Sequence, residues 1–132
     1  MTVTLEEHHG CPVDVHVLES RIEGDHYARK ITLTRQSDDS VVMFGIVRMD
    51  RTVLAEAVRD EIESQRTPLG RVLIENNVLR SVKLLNLYRI EASEDLAGSF
   101  GVDAGSVCFG RTAMIYCDEA EAIELLEIVP GE

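Results

Sequence analysis

Two charged side chains interrupt apolar stripes near the end of the chain, and they are the first candidates for chemistry. In AIELLEIV (residues 122–129) an extended backbone puts Ile123, Leu125, Glu127 and Val129 on one face, so a carboxylate stands in an apolar row. In VCFGRTAMIYC (residues 107–117) the same alternation groups Val107, Phe109, Arg111, Ala113, Ile115 and Cys117, and a guanidinium interrupts that row. A buried lone charge is costly, so each needs a partner or a ligand. Glu127 is thus a candidate functional-site residue, or an edge-strand residue reaching to water, or one half of a structural ion pair. The connecting DEAE (residues 118–121) has turn composition but no Asn-Gly or Asp-Gly, so the register that would set Arg111 against Glu127 stays open. Arg48 ends a third apolar row, Val42, Phe44 and Ile46, as a further candidate cation or as a residue emerging into solvent. The remaining candidate is TPLG (residues 67–70), with Thr67 as N-cap and Pro68 at the first helical position. The first-turn N–H groups at Leu69, Gly70 and Arg71 can receive a carboxylate, and Gly70 lets a ligand come close.

These residues need elements to hold them. The pattern predicts a short helix over residues 2–9, ended by Gly10, then an extended run over 13–18. Residues 21–27 read as a polar connection. Strands follow over 29–35 and 41–49, joined by QSDDS, the second central because both of its faces are apolar. Helices are expected over 52–65 and from Pro68 to about Asn76, then a strand over 81–90 with apolar residues on both faces. A helix capped by Ser93 and the hairpin already described complete the chain. This is an α+β domain with a mainly antiparallel sheet, its helices covering an internal ligand pocket.

Bulk properties narrow the classes. A chain of 132 residues, 45% of them hydrophobic, suits one domain spanning residues 1–132. No apolar run approaches a membrane span, and the acidic start is no signal peptide, so a cytoplasmic protein without a membrane partner is expected. A net charge of −11 argues against a nucleic-acid partner and means that an anionic ligand must be captured by specific arginines. Cys11, Cys108 and Cys117 have no CxxC spacing and read as free thiols. His8, His9, His16 and His26 form no HxxxH pattern, so no metal is expected.

TPLGRVL (residues 67–73), GRTAMI (110–115) and LLEIVP (125–130) stand in the order and spacing of the chorismate pyruvate-lyase family, and MTVTLEEHHG followed by CPVDVHVLES resembles its opening helix and first strand. The resemblance covers nearly the whole chain. It implies an antiparallel sheet with helices enclosing ligand cavities. It also implies a lyase that eliminates pyruvate from chorismate to leave 4-hydroxybenzoate, a step of biosynthesis that needs no metal or cofactor. By that resemblance Glu127 is the catalytic carboxylate, Leu69 the backbone donor beside Gly70, Arg111 a substrate-binding arginine, and Met1 or Thr2 a residue near the ligand. The sequence departs at Ile46, where active lyases carry a ligand-binding arginine; Arg48, two residues on and on the same face, is the expected substitute. Two other readings remain. One is an enzyme of specialised metabolism performing another elimination, dehydration or cyclisation in the same pocket. The other is a non-catalytic module that binds a small aromatic acid, like the UTRA effector domains of helix-turn-helix repressors, which the last third of the chain resembles. A repressor itself is not expected, since residue 1 already falls inside the fold and the charge is −11. The partner in every case is a small-molecule carboxylate; the oligomeric state, monomer or homodimer, is left open.

Overall fold

The computed structural model describes residues 2–131. Among them the chain forms four helices and a six-stranded sheet. In chain order these are α1 (Thr2–His9), β1 (Val13–Glu23), β2 (His26–Arg35), β3 (Val41–Asp50), α2 (Glu56–Glu63), α3 (Leu69–Glu75), β4 (Arg80–Glu91), α4 (Glu94–Phe100), β5 (Val107–Cys117) and β6 (Ala120–Pro130). The spatial order is β1-β2-β3-β6-β5-β4, every neighbour antiparallel. The expected α+β class and antiparallel sheet are what the chain adopts.

The sheet separates two layers. On one face α2 and α3 bury Val58, Ile62, Leu69, Val72 and Leu73 against Val47, Met49, Ala113, Ile115, Ile123 and Leu125. On that side α1 inserts Leu5 among Val13, Ile31, Leu33, Val42 and Met43. On the opposite face α4 packs alone, with Ala97 against Cys108 and Ile128, beside Phe44, Ile90 and Leu126. Ser93 caps α4 by accepting from the Leu96 amide at 3.3 Å, and Gly101, in the left-handed region at φ 69°, ends it.

Several boundaries move for identifiable reasons. Residues 21–27 are not a connection: β1 and β2 form one long hairpin that pairs through Glu23 and His26 across Gly24. That stretch reads as polar because all of it but Tyr27 stands away from the core. The helix expected over 52–65 shrinks to α2. Pro68 is the N-cap of α3 rather than its first residue, and its side chain supplies no cap bond. β4, read from sequence as a strand with apolar residues on both faces, is an edge strand exposed along nearly its whole length. The three cysteines are free thiols. Among the described residues no helix is long and apolar enough to cross a membrane, and no cluster of three His, Cys, Asp or Glu could hold a metal ion.

Candidate functional site

The β5–β6 hairpin fixes the centre of the site. Asp118 and Glu119 both have positive φ, 49° and 70°, the pattern of the tight turn that matches the strands' right-handed twist. The turn pairs Cys117 with Ala120, and a one-residue register shift between Ile115 and Tyr116 then sets Arg111 opposite Glu127; on the other flank of β6 Gly45 stands opposite Glu127. Arg111 Nε donates to Glu127 Oε1 at 2.8 Å, and its Nη2 approaches the same oxygen at 2.8 Å. The carboxylate is the more buried partner, its side chain 10% exposed against 30% for the guanidinium. Both contacts use one oxygen, so Oε2 has no hydrogen-bond partner among the described residues. A guanidinium offers five N–H donors; two are engaged here, which leaves three pointing elsewhere.

The pair lies in a cleft of about 180 Å³ between α3 and the sheet. Its walls are mostly apolar: Ile31 and Leu33 from β2, Met43 and Val47 from β3, Ile115 and Leu125, and Leu69 and Leu73 from α3. An apolar cavity of about 150 Å³ accepts benzene, so this one has room for a single ring. Gly45 forms part of the floor. A Cβ there would come within 3.3 Å of Ile31 Cγ1 and Met43 Cε, so glycine keeps the space beside Glu127 open. Leu69 and Gly70 line the cleft at the start of α3, where first-turn amides have no acceptor within the helix.

Glu127, Arg111, Leu69 and Gly70 are therefore brought together. Ile46 and Arg48 are not. On β3 the cleft is lined by Met43, Gly45 and Val47; Ile46 and Arg48 alternate with these and point to the other face, where both are exposed. Arg48 stands there beside Glu124, its cross-strand neighbour, in a shallow depression shared with Leu85, Thr112 and Leu126. Arg48 is thus corrected from catalytic cation to open-face residue, and Ile46 from the ligand-binding position to the same open face. Met1 lies outside the described residues.

Three cations or spacers escaped the sequence reading. Arg80 lines the cleft mouth just ahead of the residue where β4 was expected to start. Gly45 carried no signal, since a glycine in a strand has several uses. Arg29 is 2% exposed under α2, its Nη1 donating to the Ile62 carbonyl at 3.0 Å. Burial pulls its pKa down, offset by Tyr27 beside it. The signal was present, because Arg29 shares strand parity with the inward Ile31 and Leu33. Its remaining Nε and Nη2 have no partner among the described residues, and Ile62 lies in the last turn of α2, where a cation is favoured. On the rim Glu6 accepts from the Val13 amide at 2.9 Å and from Arg71, tying α1 to α3. Arg71, then the Val13 amide, hold its carboxyl below the ordinary value against the opposing effect of burial.

Neither a family model nor a curated protein matches the chain. Solved structures do. PhnF from Mycobacterium smegmatis superposes at a TM-score of 0.74 with 11% identity over 99% of this chain, and the chain spans 64% of PhnF. The effector domain of that protein gives 0.70, again at 11% identity, covering 97% of this chain and 86% of the domain. The C-terminal domain of the histidine utilization repressor from Pseudomonas syringae gives 0.63 at 13% identity, covering 91% and 92%. Identities this low speak for the fold alone. They also correct the expected chorismate lyase: the structures in question are effector or ligand-binding domains of regulators, and no lyase-specific arginine stands at position 46, whose side chain faces away from the cleft. The lyase, chorismate and biosynthetic assignments fall with it. What stands is the fold, a six-stranded antiparallel sheet with four helices of the UTRA or chorismate lyase-like type, shared with the effector domain of PhnF and with the ligand-binding domain of a GntR-family regulator from Bordetella bronchiseptica.

Proposed function

We propose that residues 1–132 are a single non-catalytic domain that binds a small carboxylic acid in the cleft between α3 and the sheet. The observation that carries this is the half-used Arg111–Glu127 pair set in apolar walls. Arg111 is held in place by Glu127 Oε1, so its three spare donors are preorganised for a carboxylate. Glu127 Oε2 accepts from a ligand hydroxyl. The Leu69 and Gly70 amides add neutral donors at the same rim. Ile31, Val47, Leu73 and Leu125 cover a ring. A small aromatic or cyclic hydroxy acid meets all of these groups.

The reading agrees with the chain's likeness to effector domains of transcriptional regulators. An effector domain influences DNA through a separate DNA-binding unit, so a charge of −11 on this domain and a role in transcription are compatible. Such a domain works in the cytoplasm. Titration calorimetry of the chain with a panel of small acids, 4-hydroxybenzoate and its non-aromatic analogues among them, tests the proposal. At least one acid should bind saturably, and Arg111→Met should weaken it by about tenfold or more, the worth of a charged hydrogen bond. Chorismate should release no pyruvate. Binding that ignores Arg111→Met, a panel with no ligand, or turnover of chorismate would each refute it.

A further inference from the structure

The Arg111–Glu127 pair is skewed. Where a pair in this chain is closed, both carboxylate oxygens are used: Arg35 donates from Nε to Asp38 Oδ1 and from Nη2 to Oδ2, each at 2.7 Å. Arg111 instead brings Nε and Nη2 to one oxygen, Glu127 Oε1, each at 2.8 Å. Oε2 is left without a partner on a side chain only 10% exposed. Neither Oε2 nor the spare nitrogens of Arg111 are sealed from solvent, and both residues line the cleft. On the other flank of β6, Gly45 puts no side chain beside Glu127. The cleft therefore offers an anionic acceptor and a cationic donor side by side, within apolar walls.

Charge narrows what fits there. A ligand carboxylate on Arg111 stands next to the Glu127 carboxylate. Two carboxylates that share one guanidinium repel, and apolar walls strengthen the repulsion. A simple monoanion, added to Arg111 and Glu127, also leaves the inner cleft with a net negative charge. Arg80 does not balance it, because that side chain is exposed at the mouth. A hydroxyl on Oε2 supplies a hydrogen bond and leaves the charge in place. An ammonium supplies the hydrogen bond and cancels the charge. Resting on the ligand cleft proposed above, we infer that the ligand carries an amine on the carbon next to its carboxylate, so that it is a free α-amino acid with an apolar, ring-sized side chain. Its nitrogen lies about 2.5 Å from its carboxyl carbon by standard geometry, close enough to meet two protein groups that are themselves in contact. The carboxylate takes the spare Arg111 donors and the ammonium donates to Oε2, so both contacts are charge-assisted. Arg111, Glu127 and the zwitterion sum to zero, and no uncompensated charge is buried. The side chain lies among Val47, Leu73, Ile115 and Leu125. A peptide does not qualify, because its first residue has an amide where the carboxylate is required.

Titration calorimetry of the full chain with a series built on one ring tests this. The probes are L-phenylalanine, 3-phenyllactate with a hydroxyl in place of the amine, 3-phenylpropionate with neither, and L-phenylalaninamide without the carboxylate. Phenylalanine should bind at least about tenfold more tightly than each of the others, the worth of one charged hydrogen bond. Glu127→Gln should remove that preference, weakening phenylalanine by about tenfold while 3-phenyllactate and 3-phenylpropionate stay within about twofold. The series on the unaltered chain needs no variant, so the comparison decides even if Glu127→Gln fails to fold. Any of the other three bound as tightly as phenylalanine would overturn the inference. So would a cleft that takes an acid from the wider panel but not phenylalanine, and the ligand cleft would then stand as a site for a simple acid. No acid bound at all would remove the cleft reading and this inference together.

Discussion

Replacing Arg111 by methionine leaves Glu127 in an apolar wall with no cation beside it. Breaking a fully buried pair by removing one partner costs about 3–5 kcal/mol. This pair is not fully buried: the guanidinium is 30% exposed and the carboxylate 10%. Water screens part of the interaction, and the freed carboxylate can be hydrated through the cleft. A cost of about 2 kcal/mol is therefore expected, or roughly 8 °C in the melting midpoint for a domain of this size. Glu127→Leu should cost less, about 1 kcal/mol, because the more exposed guanidinium can turn to water. In Arg111→Met/Glu127→Leu both charges are gone and the apolar replacements pack together. The double variant should thus be more stable than the sum of the two single losses by about 1–2 kcal/mol. Urea unfolding of the four proteins measures that coupling. Additive losses, or an Arg111→Met variant as stable as the parent, would refute the claim that this pair organises the cleft.

Three further outcomes follow from the geometry. Arg48→Met should leave ligand affinity within about twofold in calorimetry, since position 48 faces away from the cleft. Gly45→Ala should cost about 1 kcal/mol in urea melts and weaken binding, because its Cβ would crowd Ile31 and Met43 over the floor. Glu6→Gln should cost about 1 kcal/mol at neutral pH. The Glu6 carboxyl titrates lower in the folded chain than in the unfolded one. Its contribution is therefore complete above the unfolded value of about 4.5 and is lost as pH falls through the folded value. The stability gap between parent and Glu6→Gln, read from urea melts, should close on acidification.

Much of this architecture was legible because alternation is local. The rows holding Glu127 and Arg111 and the Ser93 cap follow from residue order alone. Which face of a strand lies under helices is not local. The parity of β3 separates Ile46 and Arg48 from Gly45 and Val47, yet nothing in that parity says which set α3 covers. The resemblance to the lyases favoured the wrong set. The register of Arg111 against Glu127 depends on a turn made by Asp118 and Glu119, two residues that adopt positive φ without the glycine that usually signals it, and on a one-residue register shift between Ile115 and Tyr116 that no residue type marks. The place of β4 in the sheet was not legible either, because apolar residues on both faces suit a central strand and also occur, as here, on an exposed edge. Arg29 could have been seen, because it lies two residues before Ile31 on the same face; a charge at a strand's start reads as solvent-facing until α2 is known to lie over it.

The most direct test of the ligand site is a backbone amide NMR titration of the chain with the tightest acid from the calorimetric panel. Shifts should concentrate at Gly45, Leu69, Gly70, Arg111 and Glu127, with Ile46, Arg48, Leu85 and Glu124 on the opposite face unmoved beyond the through-sheet background. Shifts centred on Ile46 and Arg48, with the α3 amides still, would contradict the account and move the site to the open face of the sheet.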